Sequence, residues 1–448
     1  MTPPHTAAAP PTGPMPILSE RPPWRETLVS LRVPNYRKFA ASNLVANTAV
    51  WMQRIAMDWL VLQLSGSVAA VGVTVAMQFT PMLLLGLWGG VIADRYPKQR
   101  LLILSQSSAA VLAAILAALT LTGSIQVWHV YVISFALGLV TVIDNPARQV
   151  FVNELVGPHY LRNAISLNSS IFQLGGLIGP AVGGILITAV GAGWSFAINS
   201  VACLTVVAAL LSLNRSQLHA APAPPRGKGQ LREGMRYVRS KPVIFWTVIM
   251  VAVLAVFAFN MPVFLAAYAN NVFDVGAKGY GFFNALVAAG ALTGAIASTR
   301  RTSIRLSMVV GTAVALGVVQ AVAGLAPDEI SFSVMLVGIG VANLLFITGA
   351  NSLVQMSSNV QIRGRVISLY ILVLLGGQAI GGPLMGWVVE QYGPHTAMLI
   401  SGLVPALAAV VIASVIARRA HLRLRFSLRG VRPQVTIVTR AGKSVEQL

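Results

Sequence analysis

Cysteine is almost missing from this chain. Cys203 is the only one and lies inside an apolar run, so no intramolecular disulfide can brace the fold. Charge is scarce too: Asp, Glu, Lys and Arg together make up 10% of the residues, with 12 acids against 32 bases. No G-x-x-x-x-G-K-[ST] stretch occurs, which excludes the usual P-loop route to ATP hydrolysis. None of the six histidines falls mid-way along an apolar run. His5, His159, His219 and His421 sit in polar connections, and His129 and His395 near run ends. That argues against a metal cluster or a buried histidine relay. No nucleophile–base pair is recognisable, so no enzyme chemistry and no cofactor are expected. The first 36 residues hold no apolar core of signal length, so no cleaved leader is expected.

Apolar residues dominate instead, at 56% of the chain with a mean hydropathy of +0.74. That composition belongs to a polytopic membrane protein. Hydropathy marks twelve spans, near residues 38–63, 68–93, 100–122, 127–147, 164–190, 194–214, 243–268, 280–299, 306–326, 331–355, 365–389 and 396–417. The bases follow this pattern closely. Thirty of the 32 lie on the two termini and on alternate connections, leaving Arg54 inside the first span and Lys278 on the opposite side. Such asymmetry assigns both termini to the cytoplasm of a multi-pass protein in the inner (plasma) membrane. It also explains the net charge of +20 as topology, so the bilayer and not nucleic acid is the expected partner.

The domain reading follows: a proline-rich, disordered cytoplasmic N-terminus over 1–36, a six-helix bundle over 37–214, a basic linker over 215–242, a second bundle over 243–417 and a basic tail over 418–448. A short piece from Trp24 to Leu31 is either a membrane-surface segment or part of a mobile tail. Within the linker, Gly229 to Arg239 reads as an amphipathic surface helix. The fold class is all-α, twelve transmembrane helices in two pseudo-symmetric halves.

The first span carries an unusual stripe. Asn43, Asn47, Arg54 and Asp58 fall within about 60° of arc on a helix turning about 100° per residue. A charge at mid-bilayer costs about 2.5–3.5 kcal/mol, so this face should meet protein or a watery pathway. Asp58 follows Arg54 by one turn. Burial disfavours the carboxylate and the cation favours it, which suits a group that takes up and releases protons. A permanent Arg54–Asp58 pair bracing the helix is the alternative. Further polar residues expected along the pathway are Asn168, Gln173, Asn260, Asn284, Asn343 and Gln378. Asp144 and Arg148, four residues apart, are expected to pair if Pro146 leaves the turn intact, in a structural or gating role.

Between spans 2 and 3 the chain reads Gly90-Val91-Ile92-Ala93-Asp94-Arg95-Tyr96-Pro97-Lys98-Gln99-Arg100. This resembles the signature loop of the major facilitator superfamily, a G-x-x-x-D-[RK]-x-x-[RK]-x-[RK] pattern at the same place. The resemblance implies a cytoplasmic gate at Gly90, Asp94, Arg95 and Arg100, near Asp144 and Arg148, with Asp94 latching to Arg148 or to the region of Arg365. Gly90 is expected to bring helix 2 close to a neighbour. Trp51-Met52-Gln53-Arg54, Asp58-Trp59-Leu60-Val61-Leu62 and the block from Asp144 to Ser169 are similar to the branch containing macrolide-efflux proteins and enterobactin exporters. Gly175, Gly179, Pro180, Gly183 and Gly184 look like the end of the antiporter motif on helix 5. Its upstream glycine is replaced by Ser166. These residues, with Pro383, are expected to pack helices tightly, Pro180 adding a kink.

An internal repeat supports duplicated halves. Ile165-Ser166-Leu167 recurs as Ile367-Ser368-Leu369, Pro180 as Pro383, and Gly90-Val91-Ile92-Ala93 as Gly294-Ala295-Ile296-Ala297, at offsets of 202, 203 and 204. The expectation is a monomeric secondary transporter exporting amphipathic small molecules (drugs, macrolides or siderophore-like metabolites) in exchange for protons. A facilitator or importer of the same fold, or a non-transporting accessory subunit, are the alternatives.

Overall fold

The computed structural model describes residues 28–219, 230–299, 305–359, 362–419, 423–429 and 432–438. It is almost wholly helical. Helix α1 (Pro34–Ser65) starts on a proline at its first position, where no backbone N–H is needed, and stops at Gly66 with φ 67°. Helix α2 (Val68–Arg95) is capped by Ser67, whose hydroxyl accepts the N–H of Ala70 at 3.1 Å. Helices α3 (Lys98–Leu121) and α4 (Val127–Val190) follow, then α5 (Ala192–Leu211).

The long α4 is two crossings joined at Gly157, where φ is 66°. Only there does its backbone leave helical angles, so the break falls at the glycine and not at Pro146 or Pro180. The connection expected after residue 147 is therefore helical. Helix α6 (Gln230–Ser240) is the short helix expected in the linker.

The second half opens with α7 (Pro242–Phe257) and α8 (Met261–Ala267), one crossing interrupted at Asn260 and continued by a π-turn at Tyr268–Val272. Then come α9 (Gly276–Thr299), α10 (Leu306–Ala323), α11 (Glu329–Met356) and α12 (Arg363–Arg419). Like α4, α12 is a pair of crossings, broken at Gly393 with φ 83°. A two-stranded antiparallel hairpin pairs Arg423–Arg429 with Arg432–Val438 in the basic tail, which the sequence reading leaves without structure.

Among the described residues, ten segments are long and apolar enough to cross a membrane. One of them, Arg363–Ile416, contains two crossings, and α1, diluted by its polar stripe, supplies another. The total is twelve, which places Pro34 and Arg419 at the same end. We call that end the terminal face and the opposite one the distal face.

Within the first half α1 packs on α4 and α5, and α3 on α4 and α5. Within the second, α9 packs on α11, and α12 on α7 and α10. Two seams join the halves, α2 against the first limb of α12 and the second limb of α4 against α9. The repeat offset carries α2 onto α9 and the second limb of α4 onto the first limb of α12. The seams are thus exchanged by the internal symmetry.

Glycines set the approach. A Cβ on Gly382 would lie 2.6 Å from the Gly72 carbonyl oxygen, and one on Gly281 would lie 2.5 Å from that of Pro180. Both sites lie toward the distal face, where Glu390 also accepts hydrogen bonds from the Ser67 hydroxyl and, at 3.1 Å, from the Ala69 N–H. Toward the distal face the two halves are thus in close contact at both seams. Near the terminal face Ser166 and Ser368, equivalent under the repeat, are both exposed.

Candidate functional site

Asp58 is 3% exposed, on the part of α1 nearer the distal face. Its Oδ2 accepts the hydroxyl of Tyr280 at 3.1 Å, a bond between the two halves of the molecule. Its Oδ1 is buried without a hydrogen-bond partner. The Tyr280 ring is fully buried and stacks on Trp59, with centroids 5.9 Å apart and planes at 27°. One turn along α9, Asn284 donates to the Tyr280 carbonyl at 2.9 Å. A buried carboxylate with one donor and one bare oxygen is only half compensated for its lost hydration.

Arg54 does not supply the missing partner. Its guanidinium lies over the Trp51 ring, 5.1 Å from the centroid, a cation–π placement. Among the described residues the ion pairs within 4.0 Å are Lys98–Glu154 and Arg148–Asp144. The permanent Arg54–Asp58 pair considered from the sequence is therefore not formed.

Why α1 sits beside α9 is visible in the glycine-rich stretch. On the second limb of α4, Gly175, Gly179 and Gly183 lie one turn apart and face α1. A Cβ there would reach Asn47 at 3.0 Å, the Thr48 carbonyl at 2.5 Å and Met52 at 3.1 Å. Gly184, one residue round the helix, faces α9 and would reach the Gly281 Cα at 2.9 Å. Small residues on two faces let this limb sit close to both helices, so Asp58 and Tyr280 can meet beside it. Pro383, the repeat partner of Pro180, lies in the opposite seam, where a Cβ on Gly72 would stand 3.1 Å from its nitrogen.

A second polar network sits nearer the terminal face. Asp144 accepts from Ser105 Oγ at 2.7 Å, Gln106 Nε2 at 2.9 Å and Arg148 Nε at 2.9 Å. Arg148 also pairs with it through Nη2 at 2.8 Å, donates to Asn43 through Nη1, and lies over the Phe39 ring. Four side chains thus fasten α3 and α1 to α4 around one buried carboxylate. Asn43 belongs to this clamp and not to the Asp58 region, so the stripe on α1 serves two sites. Deeper on α1, Gln53 accepts from Asn199 of α5 at 2.7 Å.

The remaining expected residues are dispersed. Asn168 and Gln173 are half-buried on α4. Asn260 is fully buried against Gly381 and donates to the Val256 carbonyl at 2.8 Å. Asn343 is half-buried on α11 with Oδ1 unpartnered, and Gln378 donates within its own helix at 3.4 Å. At the gate loop Arg95 and Arg100 are exposed, and the side chain of Asp94 lies outside what is described, with the latch expected of it. Gly90 has nothing within 4 Å of a would-be Cβ; its neighbour Gly89 makes the close approach, onto Val142 of α4. The expectation for Gly90 thus belongs one residue earlier. Ser30, from the stretch read as surface segment or mobile tail, is buried, and its N–H donates to Asn163 at 3.1 Å.

Twelve crossings, duplicated halves and two glycine seams are the architecture of the major facilitator fold, and the family match that follows makes the chain a membrane transporter. Residues 26–430 match the model of the transmembrane secretion effector family, and the chain belongs to that family. It is 23% identical over 411 residues to the enterobactin exporter EntS of Escherichia coli K12, covering 89% of this chain and 96% of that one. A stretch of 177 residues is 28% identical to the staphyloferrin A transporter of Staphylococcus aureus. That match covers 39% of this chain and 45% of the relative, less than half its length. Among solved structures, the nucleoside transporter NupG superposes with a TM-score of 0.69 at 12% identity, over 85% of this chain and 99% of that one. A bacterial homologue of the human lysosomal transporter Spinster, inward-facing and unoccupied, gives 0.63 at 15%, over 86% and 96%.

Proposed function

We propose that this protein exports amphipathic small molecules of the siderophore or drug class, in exchange for protons, as a monomer in the bacterial inner membrane. Both termini are cytoplasmic on this reading, in keeping with the bases that crowd the terminal face. The substrate class is supported by the near full-length match to an enterobactin exporter.

The observation that carries the coupling is the placement of Asp58. It is buried in the apolar belt, unpaired with Arg54, half satisfied, and set between helices of the two halves. Such a group binds a proton from one side and gives it up to the other when the halves rock. The distal seams and the exposed serines near the terminal face fit a state closed to the outside. Export then requires the seams to part, release of substrate outward, and return of the protein with Asp58 protonated.

The test is release from cells that overexpress the full chain, with enterobactin, staphyloferrin A and a macrolide as probes. Faster release of at least one by wild type, and not by Asp58→Asn, is expected. Accelerated uptake, or equal release by both, would overturn the reading.

A further inference from the structure

We infer that Tyr280 is the positioning residue that makes the protonation of Asp58 depend on whether the distal seam is closed. This rests on the reading of Asp58 as the proton-exchanging group, and adds to it a switch.

The bond between Tyr280 and Asp58 spans 222 residues of sequence and joins the two halves. Tyr280 is next to Gly281, whose contact with Gly184 and Pro180 forms the seam itself. The hydroxyl therefore reaches Asp58 only while α9 is seated on α4. Both rings that frame it are buried, Trp59 at 4% exposure and Tyr280 at 0%, so no water takes the donor's place while the seam is shut.

Once α9 moves away, the carboxylate loses its one donor and faces the distal side. Distal water then reaches the carboxyl and supplies the proton, whereas in the shut, apolar setting it is the Tyr280 donor that offsets burial and favours the charged form. The transferred proton comes from distal water, resides on a carboxylate oxygen, and leaves to terminal-side water. Tyr280 keeps its own proton throughout. Reseating α9 buries the carboxyl again and restores the Tyr280 donor, which offsets the burial that would otherwise hold the proton.

Few other groups act on this carboxyl. On α1 itself there is Arg54, held over Trp51. On α9, beside Tyr280, there is the exposed Lys278. The neighbouring stretches 68–86 of α2, 170–190 of α4, 192–211 of α5 and 261–267 of α8 contain no Asp, Glu, Lys, Arg or His. A change at Tyr280 should thus register directly in the titration of Asp58.

The test uses the full-length protein in lipid nanodiscs, with pH as the only variable and the protonated-carboxyl stretch read by infrared difference spectroscopy. Asp58→Asn should delete one titrating band, which assigns it. Tyr280→Phe keeps the ring on Trp59 and should move that band's midpoint toward alkaline pH by about one unit, tenfold in proton concentration. Fluorotyrosine at position 280, a stronger donor of the same shape, should move it the other way. In a Gly184→Trp background that wedges the seam open, the Tyr280→Phe displacement should vanish. An unmoved midpoint in Tyr280→Phe, or a displacement that persists with the seam wedged, overturns the switch while leaving Asp58 in its role. A titration that Asp58→Asn does not alter overturns the underlying reading as well.

Discussion

Gly184 and Gly281 meet with so little room that a Cβ on Gly281 would fall 2.7 Å from the Gly184 Cα. No side chain fits there without pushing α4 from α9. Since this seam helps close the distal face, Gly281→Val should bias the protein toward the distal-open form. Spin labels placed on either side of the seam should report a longer separation than in wild type. Overpacking of this kind costs about 1–3 kcal/mol, which shifts a two-state population by about fivefold to a hundredfold.

The second seam closes on a charge. Glu390 accepts from the Ser67 hydroxyl and from the Ala69 N–H at the start of α2, where the helix dipole favours an anion. Glu390→Gln keeps the shape and removes the charge. Its side chain is exposed, so the expected effect is modest: at most about 1 kcal/mol of bias toward the distal-open form. Cross-linking between cysteines introduced at positions 67 and 390, in a Cys203→Ser background, fixes the closed form for comparison.

The clamp on α4 should behave differently from the seams. Removing Arg148 strands a carboxylate that now has four donor contacts, and removing Asp144 strands the guanidinium. Breaking one side of a buried pair costs about 3–5 kcal/mol. Arg148→Ala and Asp144→Ala should each lower the thermal midpoint in detergent by several degrees. The double variant should lose less than the two losses added.

Asp328 offers a pH test outside the membrane. It caps α11, and its Oδ1 accepts the Ser331 N–H at 2.7 Å, a bond that holds the carboxyl below its ordinary range. A group lowered on folding stabilises the fold above its unfolded pKa and loses that effect as pH falls through its folded one. Asp328→Ala should therefore melt earlier than wild type at neutral pH. The two melting curves should converge in acid.

How much of this was legible in the sequence depends on how local each feature is. The crossings were, because hydropathy is local, and so was the Asp144–Arg148 pair, because four residues make one turn. The partner of Asp58 was not. Tyr280 stands 222 residues away and looks like any aromatic at a helix end. Likewise Ser105 and Gln106 on α3 and Asn43 on α1 carry no sign of the Asp144–Arg148 pair that they bind, because both helices are far from it in sequence. Glycine runs announced tight packing but not its target: Gly89 approaches α4 where Gly90 was expected to, and α4 breaks at Gly157, which no spacing singles out. Backbone geometry of that kind depends on which face of a helix has a neighbour, and spacing alone does not say.

Reconstituted transport puts the coupling itself to the test. In proteoliposomes loaded with iron-free enterobactin as probe, wild type should drive it against its gradient when a pH difference is imposed. Asp58→Asn should still exchange probe for probe at a comparable rate but accumulate none in response to the pH difference. Gradient-driven movement by Asp58→Asn equal to that of wild type would contradict the account.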